Sequence, residues 1–136
     1  MKHKLGLISP YKKQVNMLNE NLRDKHGMKY RELVAVNTVD AFQGQEKDVI
    51  LFSAVRANPD LAKGGSDKNL IGFLSDVRRL NVAITRPRFV LIIVGNSSTL
   101  ATNETWRDFI DSVSQDKGYI SVSTVIYFCW GSYSHQ

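Results

Sequence analysis

Val36-Asn37-Thr38-Val39-Asp40-Ala41-Phe42-Gln43-Gly44-Gln45-Glu46-Lys47-Asp48, residues 36–48, links two apolar runs, Leu33–Val39 and Val49–Val55. Both runs are rich in valine, isoleucine and leucine and are nearly continuous rather than alternating. That is the pattern of strands covered on both faces. Leu5–Ile8 and Phe89–Val94 read the same way, and Tyr119–Val125 is a fifth candidate. Helical patterns lie between some of them. Ser9-Pro10 supplies a capping hydroxyl followed by a proline suited to a first helical position. Tyr11, Val15, Leu18 and Leu22 then form one apolar stripe, and Gly27 is a stop. A second helix is predicted from Ser75, with Val77, Leu80 and Ile84 as its buried stripe and Pro87 ending it. A third carries Trp106, Phe109, Ile110 and Val113 on one face, with Asn103 as cap and Gly118 beyond its end. Strands alternating with helices predict an α/β architecture, a mainly parallel sheet flanked by helices.

At 136 residues the chain suits one domain with a buried core. One cysteine, Cys129, excludes an intrachain disulfide, and the three scattered histidines offer no zinc spacing. Nothing reads as a secretory leader or a membrane span, so an intracellular protein is expected. A formal charge of +5 is compatible with a polyanionic partner but does not specify one. Asn58–Asn69 is expected to be an exposed polar loop, and Ile126–Gln136 fits no recognised pattern.

Three segments carry the chemistry: Leu7–Gln14, Val36–Asp48 and Asp76–Arg88. In an open α/β sheet, ligands gather at the carboxyl ends of the strands. A glycine at position 44 lets backbone approach a phosphate, and Glu46 can accept hydrogen bonds from ribose hydroxyls. Read alone, the same residues also describe a turn glycine and a solvated glutamate. In Asp76–Arg88, Arg79 and Arg86 stand seven apart and so share a helical face, with Arg78 and Thr85 on the neighbouring stripe. Arginine's planar fork suits phosphate, though charge clusters are usually solvated faces. Thr38 and Ser53, near strand ends, fit either backbone contacts to a nucleic acid or capping hydroxyls. Phe42 reads as a core aromatic.

Taken together, these segments resemble motifs IV, V and VI of the superfamily 1B helicases, the group of senataxin and the nonsense-mediated decay helicase. The resemblance spans about Leu5–Ser123. It implies a second RecA-like domain of the P-loop NTPase fold over residues 1–124, with 125–136 a divergent tail, and more of this domain ahead of residue 1. It implies the finger role for Arg86 and nucleotide contacts from Gln14, Gly44, Glu46 and Arg79. Thr38 and Ser53 are implied on the nucleic-acid backbone. Some relatives place an arginine directly after the glutamine of the first motif; here Val15 stands there, on the apolar stripe. The chain contains no G-x-x-x-x-G-K-[ST] loop and no Asp-Glu pair. ATP with magnesium is therefore expected only with a first RecA-like domain present, in cis or trans. Single-stranded RNA or DNA is the other expected partner. The alternative is a RecA-like module that binds nucleic acid or protein without catalysis.

Overall fold

The computed structural model describes residues 4–54, 72–115, 119–122 and 125–131. The loop expected at Asn58–Asn69 and the stop at Gly118 lie outside these residues. Strand β1 (Leu5–Ser9) leads into helix α1 (Lys12–His26), a short helix α2 (Tyr30–Leu33) and strand β2 (Val34–Thr38). A 3₁₀ turn (Asp40–Phe42) then brings the chain to β3 (Lys47–Ala54). Another 3₁₀ turn (Gly72–Ser75) precedes α3 (Val77–Ile84) and β4 (Pro87–Gly95). Helices α4 (Ser97–Leu100) and α5 (Glu104–Gln115) follow, then β5 (Tyr119–Val122) and β6 (Val125–Gly131).

The six strands form one sheet in the order β2-β1-β3-β4-β6-β5. The first four are parallel, as the apolar runs predict, and the architecture is a RecA-like α/β fold. β6 adds antiparallel to β4, from Val90↔Gly131 to Gly95↔Ile126, and β5 pairs antiparallel with β6. Part of the segment set apart in the sequence as a tail therefore lies in the sheet as β6.

The main core is built from Ile8, Phe42, Ile50, Phe52, Leu80, Ala83, Leu91, Ile93, Trp106, Ile110 and their neighbours. It joins β1, β3 and β4 to the 3₁₀ turn, α3 and α5. Trp106 is fully buried, 6.2 Å from the Phe52 ring and edge-on to Phe109 at 6.1 Å. Val15 of α1 is buried apart from that cluster, where α1 lies against β1 and β2. Asn103 caps α5 as predicted, its Oδ1 accepting from the Trp106 amide at 3.2 Å.

Several local expectations shift. α1 starts at Lys12, two residues after Pro10. The buried Ser9 hydroxyl instead donates to the Ser53 carbonyl (3.2 Å) and accepts from the Tyr11 amide (3.4 Å). It thus ties β1 to β3 rather than capping the helix. α3 is capped by Asp76, whose carboxylate accepts from the Arg78 amide at 3.0 Å. Its buried face is Leu80 and Ala83, with Ile84 partly covered, whereas Val77 is 46% exposed. Leu33 belongs to α2 and is exposed.

Candidate nucleotide and nucleic-acid edges

The parallel register sorts the candidate residues to two ends of the sheet. Leu5, Val34, Lys47 and Pro87 begin their strands at one end, and Ser9, Thr38, Ala54 and Gly95 finish at the other.

At the amino end, not the carboxyl end where Gly44 and Glu46 were expected to meet a ligand, the two longest motifs meet, because the chain crosses from the end of β2 to the start of β3 before Glu46. The Lys47 amide donates to the Arg86 carbonyl at 3.1 Å, zipping the start of β3 to the start of β4. Glu46 and Arg86, forty positions apart in sequence, are thereby adjacent. Glu46 is exposed, and no described residue holds its carboxylate. Gly44, two residues earlier, has φ 76°, a left-handed conformation that disfavours any side chain. A Cβ there would meet nothing within 4 Å, so backbone sterics rather than crowding explain the glycine. The loop is stapled within itself. Thr38 Oγ1 accepts from the Ala41 amide at 3.4 Å, and the Gln45 side chain donates to the Ala41 carbonyl at 2.9 Å.

Arg86 lies two residues beyond the end of α3, not on the helical face it was expected to share with Arg79. Thr85 closes the helix by donating its hydroxyl to the Asn81 carbonyl at 2.7 Å. Arg86 then folds its side chain back: Nε donates to the Val82 carbonyl (3.0 Å) and Nη2 to Thr85 Oγ1 (3.1 Å). Arg88, past the proline, is paired with Asp48 at 3.7 Å. Arg79 faces a different set of groups, with Nε 3.4 Å from Asp40 and 3.8 Å from Asp76. It ties the 3₁₀ turn to the start of α3. Asp40 was not singled out in the sequence. An acidic residue just after the strand end, facing an arginine-bearing helix, was the available signal.

At the carboxyl end, Ser9 and Thr38 are register partners on β1 and β2, and Ser9 reaches β3 through the Ser53 carbonyl. Three hydroxyl residues thus occupy neighbouring strands. Thr38 and Ser53 are half-buried, while Ser9 is fully buried. Gln14, half-buried in the first turn of α1, follows the carboxyl end of β1 and is not brought to Glu46 and Arg86. An open groove of about 290 Å³ lies elsewhere, along the β2 edge between Asn19, Tyr30 and Arg31, and touches none of the candidate residues.

Among the described residues no group of three His, Cys, Asp or Glu is placed to hold a metal ion. No described helix is long and apolar enough to cross a membrane.

Residues 1–98 match the family described as an AAA domain. The probable helicase MAGATAMA 3 of Arabidopsis thaliana is 40% identical over 119 residues, covering 88% of this chain and 14% of that protein. Helicase sen1 of Schizosaccharomyces pombe is 41% identical over 114 residues, covering 84% and 6% respectively. The Regulator of nonsense transcripts 1 homolog of Drosophila melanogaster is 41% identical over 110 residues, covering 79% and 9%. The chain therefore spans only 6% to 14% of the length of these relatives.

Proposed function

The chain belongs to the superfamily 1B helicases as a RecA-like domain, and on that premise we propose that it is the second motor domain of an ATP-dependent RNA or DNA helicase. The observation that carries this reading is the Lys47–Arg86 backbone bond, which joins the residue after the exposed Glu46 to Arg86 at one end of the sheet. Glu46 would take the ribose and Arg86 the γ-phosphate, with Gly44 leaving the approach open. Arg79 acts in this scheme by bracing the helix that presents Arg86. A first RecA-like domain, in cis or trans, supplies the phosphate loop and the carboxylates that hold magnesium with ATP. Magnesium neutralises the phosphate oxygens; this chain's share of the work is to grip the sugar and stabilise charge on the transferred group. The hydroxyl-bearing carboxyl edge, with Thr38 and Ser53, would take the backbone of the single strand. Gln14 stands with this edge. Closing and opening the cleft then alternates the grip on the strand.

The test is reconstitution. Alone, the chain should show no ATP turnover with magnesium and single-stranded RNA or DNA. Joined to a first RecA-like domain, it should show strand-stimulated turnover. Sustained turnover by the purified chain alone sinks the half-site reading, and silence in the joined protein favours the non-catalytic module.

The joined protein also separates binding from chemistry at Glu46. A ribose contact exists in both the ground and transition states, so it is largely uniform binding. Glu46→Ala should raise KM for ATP by roughly 10-fold, the size of one charged hydrogen bond, with a smaller change in kcat. Steady-state kinetics decide it: a large fall in kcat at unchanged KM would make Glu46 catalytic and refute the assignment.

A further inference from the structure

A guanidinium has five N–H donors in one plane: a side fork, formed by Nε–H and the Nη2–H beside it, and an end fork between Nη1 and Nη2. In Arg86 the side fork is occupied. Nε donates to the Val82 carbonyl at 3.0 Å and Nη2 to Thr85 Oγ1 at 3.1 Å. The end fork has no partner among the described residues. Thr85 can accept this bond only if its single proton points elsewhere. The Asn81 carbonyl fixes that, taking the hydroxyl at 2.7 Å and the Thr85 amide at 3.1 Å.

We infer that Thr85 is the positioning residue for Arg86, setting the guanidinium plane so that its end fork faces outward to take two phosphate oxygens. The inference rests on the reading of Arg86 as the phosphate contact. Two hydrogen bonds to the guanidinium remove rotation that an arginine at a chain bend would otherwise retain. The guanidinium therefore need not be ordered when the transition state forms.

The experiment has two readouts. In ¹⁵N NMR of the full chain, restrained rotation about the Nε–Cζ bond should resolve the two Nη nitrogens of Arg86. Thr85→Val, which keeps the branched shape and removes the hydroxyl, should average them. Thr85→Ser should keep them resolved. In the joined two-domain protein, Thr85→Val should lower kcat roughly 10-fold with KM for ATP unchanged, below the 10²-fold that a 1 Å misplacement can cost, and Thr85→Ser should restore it. A helix-ending role alone would move thermal stability without this split. Resolved Nη signals in Thr85→Val, or a kcat within about two-fold of the parent, would overturn the inference. The two readings fail separately. Normal turnover by Arg86→Ala removes the phosphate contact itself, and with it any role for Thr85. Loss of turnover in Arg86→Ala with an unaffected Thr85→Val removes Thr85 alone.

Discussion

Arg86→Ala, in a protein that contains both motor domains, should lower kcat for ATP hydrolysis by roughly 10³–10⁵. Charge grows on the γ-phosphoryl oxygens as the bond breaks, so a fixed guanidinium stabilises the transition state more than bound ATP. Folding and most ATP affinity should survive. The side chain is half-exposed, and its loss leaves only the Val82 carbonyl and Thr85 hydroxyl at a helix end open to water. Lysine should rescue poorly, because an ammonium cannot use one fork for the helix and another for phosphate. Arg88→Ala should be far milder, since Arg88 already pairs with Asp48 at the surface. Single-turnover hydrolysis of the three variants, with circular dichroism as a folding control, checks the order. Hydrolysis by Arg86→Ala within a few-fold of the parent would move the finger role to Arg79.

Phe42→Ala should cost about 3–5 kcal/mol of stability, the range for emptying a buried aromatic site. That is a large share of the roughly 5–15 kcal/mol a domain has to lose. Phe42 is wholly buried, and β1 makes room for it with Gly6. A Cβ at that glycine would come 2.9 Å from the Phe42 ring and 2.6 Å from Ile50. Urea unfolding followed by circular dichroism measures the loss. Met17→Ala, at a site 49% exposed, should stay within about 0.5 kcal/mol and serves as control. A Phe42→Ala midpoint equal to that of the control would show that the loop is not fastened by its aromatic.

The parallel strands were legible because burial on both faces demands apolar residues at every position, and four such runs stand out. Helix starts shifted by a residue or two: Asp76 caps α3, which begins at Val77 rather than Ser75, and α1 begins at Lys12 rather than Pro10 because the Ser9 hydroxyl is drawn to β3 instead of capping it. α2, at four residues, is too short to show a period, so Leu33 read as strand. Periodicity also placed Arg86 on a helix, because the i to i+7 spacing from Arg79 persists in the sequence after Thr85 has ended the helix. Spacing says which residues share a face but not which end of a sheet they reach. The separation of Thr38 and Ser53 from Glu46 and Arg86 appears only in the strand register.

That register also sets a length. Thr38 is level with Ser9, one position past the Ile8↔Phe52 pair, and so stands six residues of rise from Lys47, about 20 Å along the strand at ~3.3 Å each. The chain covers it with Val39–Glu46 while also passing across β1. Nine steps span at most about 30 Å fully extended, and the 3₁₀ turn takes up part of that reach. Hardly any slack remains. A deletion here would drag Thr38 or Glu46 off its strand end, and an insertion would lift Phe42 from its seat, so the passage should tolerate neither. Anchored at its middle by the buried Phe42 ring, the loop fixes the separation between Glu46 at one end of the sheet and Thr38 at the other.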